Sequence, residues 1–130
     1  MSKIKRTSLP WTTVYAHGTG VVALAASAWM TASEAAKVRG TFEVAGRDGD
    51  IEVAIGFQVA NVEDNVTTPQ NPAITAYKAA NGMQYPADFI DILPETKSKQ
   101  LVRWVWLVKN TSTSNLTFAR VGGLVDVEEC

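Results

Sequence analysis

Cysteine, histidine and charge are all scarce in this chain of 130 residues. The one cysteine, Cys130, is the last residue, so no intrachain disulfide can form and the redox compartment stays open. The one histidine, His17, excludes a His-rich zinc site and leaves a Ser-His-Asp triad without supporting pattern. Charged residues make up 19% against an apolar share of 46%, which predicts uncharged outer surface for a partner to cover. A net charge of -1 gives no general attraction to nucleic acid or to an anionic membrane. No run approaches the roughly 18 apolar residues of a membrane span. There is no internal repeat, low-complexity tract or dividing linker. The length therefore predicts one domain able to bury about two thirds of its unfolded surface without metal or disulfide staples.

The N-terminus raises the question of export. Lys3, Lys5 and Arg6 precede the apolar run Val21 to Ala28, which ends in Ala26-Ser-Ala28. A polar stretch with Pro10, His17 and Gly18 separates charges from run, and the run is short and alanine-rich. The segment reads as mature protein, made without a signal peptide. Asn-x-Ser/Thr matches at Asn65, Asn110 and Asn115 then reflect loop composition.

What the chain has in quantity is apolar alternation with period two. It is clearest at Leu101-Val-Arg-Trp-Val-Trp-Leu-Val-Lys109, where Val102, Trp104, Trp106 and Val108 share one face and Arg103, Val105, Leu107 and Lys109 the half-buried other. The loop Asn110-Thr-Ser-Thr-Ser-Asn115 predicts a chain reversal and a long hairpin with Leu116 to Val121 and Leu124 to Val127. A second hairpin is predicted where Val38, Gly40, Phe42 and Val44 precede Gly46-Arg-Asp-Gly-Asp50, and Ile51, Val53, Ile55, Phe57 and Val59 follow.

The remaining segments are weaker. Trp11, Thr13 and Tyr15 alternate, Val21 to Met30 is extended, and Ser33 to Ala36 suits one helical turn. Asn61 to Pro72 is a long surface connection of the kind that often contacts partners. Ala73 to Ala80 is either a short helix or a strand closed by Asn81-Gly82, with strand preferred. Phe89 to Leu93, bracketed by Pro86 and Pro94, suits an edge, and Glu95 to Gln100 is a charged loop. These patterns predict an all-β, two-sheet antiparallel β-sandwich of jelly-roll or Greek-key type, with about eight strands. Phe42, Ile51, Val53, Ile55, Phe57, Val102, Trp104, Trp106 and Phe118 form the expected core. Residues 1–9 are expected to be a flexible basic N-terminal arm that orders on a partner, and residues 10–130 the single domain.

Short motifs offer little chemistry. Gly18-Thr-Gly-Val-Val-Ala23 fits the dinucleotide fingerprint, but the strand-helix alternation of that fold is missing. Asp48-Gly-Asp50 with Glu52 clusters carboxylates, yet it lacks the other ligands of a calcium loop and an Asp-Gly turn explains it. Acidic pairs at Asp88 with Asp91 and Glu63 with Asp64 do not disclose the separation that glycoside hydrolysis requires. Arg103 and Arg120 lie within strands, where acidic neighbours or a partner would meet them. Trp11, Trp29, Trp104 and Trp106 would make a sugar platform only if exposed. No metal, cofactor, small-molecule substrate or enzymatic activity is expected.

The opening Trp11 to Ala16, the two alternating pairs of segments, and the closing Val102 to Asn110 and Leu116 to Glu128 together resemble the small jelly-roll cement, or decoration, proteins of tailed-bacteriophage capsids. The resemblance is one of size and architecture over nearly the whole chain. It implies an oligomeric structural protein on the outer surface of a virion, binding across major-capsid subunits and stiffening the shell. Lys3, Lys5, Arg6 and Trp11 are the candidate partner-binding residues, the three cations being too few for a nucleic-acid site. The alternative is a carbohydrate- or receptor-binding sandwich, which would show an exposed aromatic row.

Overall fold

The computed structural model describes residues 3–16, 20–32, 37–61, 72–85, 88–96, 99–110 and 116–129. Outside them lie His17, the first two residues of the glycine motif (Gly18 and Thr19), the Ser33 to Ala36 segment, most of the long connection with Glu63 and Asp64, Pro86, residues 111–115, and Cys130.

Among the described residues nine strands and one helical turn follow in order: β1 (Lys3–Ala16), β2 (Val22–Ala25), β3 (Met30–Thr31), β4 (Lys37–Asp48), β5 (Ile51–Ala60), β6 (Gly82–Gln84), β7 (Ile90–Asp91), α1 (Leu93–Thr96), β8 (Leu101–Asn110) and β9 (Thr117–Glu129). Sheet A runs β1-β9-β4-β6, with β7 also on β4. In sheet B, β8 lies between β5 and the end-to-end pair β2 and β3. Segment 72–78 closes the far edge of β5 through bridges Gly56 to Ala73 and Val53 to Lys78. The Thr75 hydroxyl there accepts the Ile55 N–H at 3.0 Å. The Ala73 to Ala80 stretch is thus neither the short helix nor a continuous strand, being bridged to β5 at single points with bends between them.

The pairings of β1 with β9, of β2 and β3 with β8, of β4 with β6 and of β5 with segment 72–78 are nearly symmetric about the middle of the chain. Lys3 faces Glu129, Ala16 faces Thr117, Val22 faces Val108, Thr31 faces Leu101, Val44 faces Gly82 and Gly56 faces Ala73. The chain is one long hairpin rolled up so that β9 also meets β4 and β8 also meets β5. This is the jelly-roll course, and it confirms the two-sheet sandwich.

The same course overturns both predicted hairpins. β8 and β9 lie in different sheets, as do β4 and β5. Period two assigns a side chain to a face, but an extended segment can take its neighbour from anywhere in the chain. The Asp48-Gly49-Asp50 turn exists, with Gly49 at φ 77°, a conformation that favours glycine, but it carries the chain between layers. Val21 to Met30 is also interrupted. At its break the Trp104 N–H donates to the Ser27 hydroxyl at 2.9 Å in place of a ladder carbonyl. The charged loop at Glu95 begins inside α1, where Pro94 in the first turn needs no intrahelical donor.

The interior forms between the sheets. Val38, Phe42, Val44, Ala119, Val121, Val125 and Val127 from sheet A meet Ile51, Val53, Ile55, Phe57, Val102, Trp104 and Trp106 from sheet B. Phe42 and Trp106 cross the gap edge to face, with ring centroids 5.6 Å apart. Of the expected core only Phe118 is misplaced, being 42% exposed on the outer face of sheet A. β9 turns Thr117, Ala119 and Val121 inward instead. The bulky side chains of sheet B already occupy a layer about 10 Å thick, so small residues complement them better than a further ring.

The basic arm also proves to be part of the sandwich. Lys3 to Leu9 pairs in continuous register with Glu129 to Gly123. The register sets Arg6 opposite Asp126, Lys3 opposite Glu129 and Ile4 opposite Glu128, so the basic beginning meets the acidic end. Residues 3–9 are therefore strand, because their partner lies at the opposite end of the chain.

Candidate interaction surface

The two sheets treat their outer faces differently. On sheet B, Ala54, Val105 and Leu107 are fully buried, with Ala23 and Tyr77 packed against them. Cations close the margins: Arg103 lies 4.5 Å over the Trp29 ring and Lys109 4.4 Å over Tyr77. Arg103 also donates to Gln58 at 2.9 Å. Burial, assisted by Glu52, pushes the Tyr77 hydroxyl above its ordinary pKa. Little apolar surface on these residues is left for a partner.

Sheet A exposes its outer face. Tyr15 and Phe118, opposite each other in β1 and β9, form a tilted pair with centroids 6.5 Å apart and are 52% and 42% exposed. Further along β1 comes Trp11, 46% exposed. The register shift between Leu9 and Thr12 sets Pro10 and Trp11 against Gly122 alone, a β-bulge of the kind that re-aims a side chain. A Cβ on Gly122 would lie 2.6, 2.9 and 3.0 Å from three atoms of the Trp11 indole, so the ring rests flat on the glycine. Beside the ring is a cleft of about 260 Å³ bordered by Ser8, Thr41, Glu43, Met83 and Leu124.

Beyond the cleft lies a charged clamp. Arg6 Nε donates to Asp126 Oδ1 at 2.8 Å and Arg39 Nε donates to Oδ2 at 3.3 Å. The Asp126 side chain is 4% exposed, whereas its arginines are 64% and 38% exposed. The Arg6 hydrogen bond, reinforced by Arg39, holds the Asp126 carboxyl below its ordinary pKa although burial acts the other way. Arg39 also covers Phe89 at 4.5 Å.

Three of the four candidate partner-binding residues therefore have these surroundings: Lys3 and Lys5 are exposed on β1, and Arg6 is engaged by Asp126. Trp11 joins the larger aromatic surface. The sequence reading missed Phe118 and Tyr15 as members of that surface. Their cross-strand meeting depends on β1 pairing with β9, which local alternation does not disclose. β1, at the edge of sheet A among the described residues, carries Lys3, Lys5, Pro10 and a bulge, features that discourage edge-to-edge pairing.

Among the described residues no group of three His, Cys, Asp or Glu is placed to hold a metal ion. Asp88 borders a second cleft, of about 310 Å³, between segment 73–76 and the β6–β7 edge, together with Tyr85 and Ile90. Asp91 belongs to β7, opposite Lys37. Asp48 ends β4 opposite Phe118, and Arg120 is exposed opposite Thr13.

Comparison with solved structures finds the same fold in virus particles. The chain superposes on a structure of the Gx strain of infectious bursal disease virus with a TM-score of 0.64 at 8% identity, covering 98% of this chain and 33% of that one. A VP2 subviral particle of the same virus gives a TM-score of 0.64 at 7% identity, covering 98% and 32%. T=1 particles derived from that virus give 0.58 at 7%, covering 96% and 31%. The chain thus spans about a third of the length of the chains it resembles. Neither family models nor curated protein sequences give a match.

Proposed function

We propose that this chain is a structural protein of a virus particle, a cement or decoration subunit that binds across neighbouring major-capsid subunits on the outer surface of the shell. The observation that carries the reading is the jelly-roll course, whose likeness to virus-particle structures extends over 98% of the chain. A protein that binds the assembled shell and not its separated subunits stabilises the shell by its binding free energy, repeated over many copies. No chemical step is needed. A preformed sandwich suits the task because little ordering entropy is lost when it docks.

Sheet A is the face we assign to the shell or to further copies of the chain. It presents Trp11, Tyr15, Phe118 and Met83 between charged groups, resembling the aromatic centre and polar margin of protein interfaces. The test is the composition of purified particles from the virus that carries the gene. The chain should be present at a fixed ratio to the major capsid protein, and particles made without it should release their contents at a lower temperature. Absence from purified particles would overturn the proposal. Presence with unchanged shell stability would overturn the cement role.

A further inference from the structure

The Trp11 cleft combines features that shell attachment does not require. The bulge turns the indole onto Gly122, and the opposing glycine lets it lie flat. One ring face thereby covers the strand, which is a stabilising role in itself. The cleft beside it provides the hydroxyls of Ser8 and Thr41 and the carboxylate of Glu43, with Met83 and Leu124 as apolar walls. Among the described residues Glu43 makes no ion pair.

We propose that this cleft binds one neutral hexose unit at the end of a glycan. The C–H face of a pyranose carries partial positive charge and stacks on the negative face of an indole. A carboxylate accepts hydrogen bonds from two adjacent sugar hydroxyls, and the Ser8 and Thr41 hydroxyls can donate or accept as the sugar demands. A cleft of about 260 Å³ lies at the small end of ligand sites, which matches one ring better than an extended oligosaccharide. Glu43 disfavours acidic sugars. A proline ring would also stack on Trp11, but it offers no donor to Glu43, so the polar border favours the sugar.

Shell attachment through Trp11 and sugar binding compete for the same cleft, but their tests are separate: failure here leaves the shell reading standing, and absence from particles leaves the sugar site standing. The test follows the Trp11 indole N–H resonance of the full chain, assigned through Trp11→Phe, while methyl glycosides of glucose, galactose, mannose and N-acetylglucosamine are added up to about 50 mM, the weak range expected for a single stacked ring. At least one glycoside should shift this resonance saturably. Glu43→Gln should weaken binding about tenfold, a loss of about 1.4 kcal/mol, and Trp11→Ala should abolish ligand-induced shifts elsewhere in the cleft. Phe118→Ala, on the same face but outside the cleft, should leave affinity unchanged. No shift with any glycoside would overturn the proposal. So would binding that survives both Trp11→Ala and Glu43→Gln, or a shift caused only by a proline-rich peptide.

Discussion

Sheets A and B face the same interior, yet their outer surfaces have opposite fates. β8 at the centre of sheet B is buried on both sides, Trp104 and Trp106 inward and Val105 and Leu107 outward. β9 at the centre of sheet A buries Ala119, Val121 and Val125 but shows Phe118 and Arg120 to solvent. The larger inward groups of sheet B carry more of the packing, whereas sheet A keeps outward side chains that folding does not consume. The exposed aromatic side chains of the two sheets therefore lie on sheet A.

The sharpest way to break this comparison is truncation at the centre of each sheet. Trp106→Ala should cost about 3–5 kcal/mol in urea unfolding, through lost burial and an unfilled cavity. Phe118→Ala should cost less than about 1 kcal/mol, because its ring is already half exposed. Similar losses at the two sites would mean that the sheets do not divide their tasks in this way. The outer faces give the next largest contrast. Leu107→Ala should cost about 2–4 kcal/mol, and Leu124→Ala, only half buried, about 1 kcal/mol.

The charged clamp distinguishes the sheets by pH. Asp126 has a folded pKa below its ordinary value of 3.8, so its stabilisation is fully present above that value and is lost as pH falls through the lower folded value. Asp126→Asn should remove about 1 kcal/mol at neutral pH, because the arginines left behind are solvated. It should remove nothing once the wild-type carboxyl is protonated. Urea midpoints from pH 7 down to pH 2 would show the two proteins converging only at the acid end, and parallel curves would exclude the clamp as the cause.

The smallest expected effect concerns an orphan donor in sheet B. Trp104 Nε1 is buried without a hydrogen-bond partner among the described residues. Trp104→Phe removes that N–H, whose desolvation costs about 1–3 kcal/mol, while sacrificing apolar contact. The net change should stay within about 1 kcal/mol in the same assay. A loss above about 3 kcal/mol would show that shape alone governs the site.

Alternation along the chain was enough to reveal the strands and most of the core, because a half-buried strand repeats every two residues whatever lies beside it. It placed Phe42, Phe57, Trp104 and Trp106 inside, and it brought Trp11 to notice as an aromatic near a basic stretch. Apolar bulk alone puts Phe118 inside, whereas the opposing layer leaves room only for Ala119 and its small neighbours. Nor did any local signal show Trp11 on Gly122 or Arg6 on Asp126, whose partners lie more than a hundred residues away in the sequence.

The sequence by itself determined an all-β chain, the phase of most strands and the identity of the interior on sheet B, since these follow from side-chain pattern and burial over a few residues. Only the tertiary structure decided which strand each segment joins. It paired the basic beginning with the acidic end, separated β8 from β9 and β4 from β5, and gathered Trp11, Tyr15 and Phe118 on one open face. The physical reason is that a strand's hydrogen-bonding edges are nearly the same along every sequence. Pairing is selected by how the completed layers fill one another, a property of the whole chain.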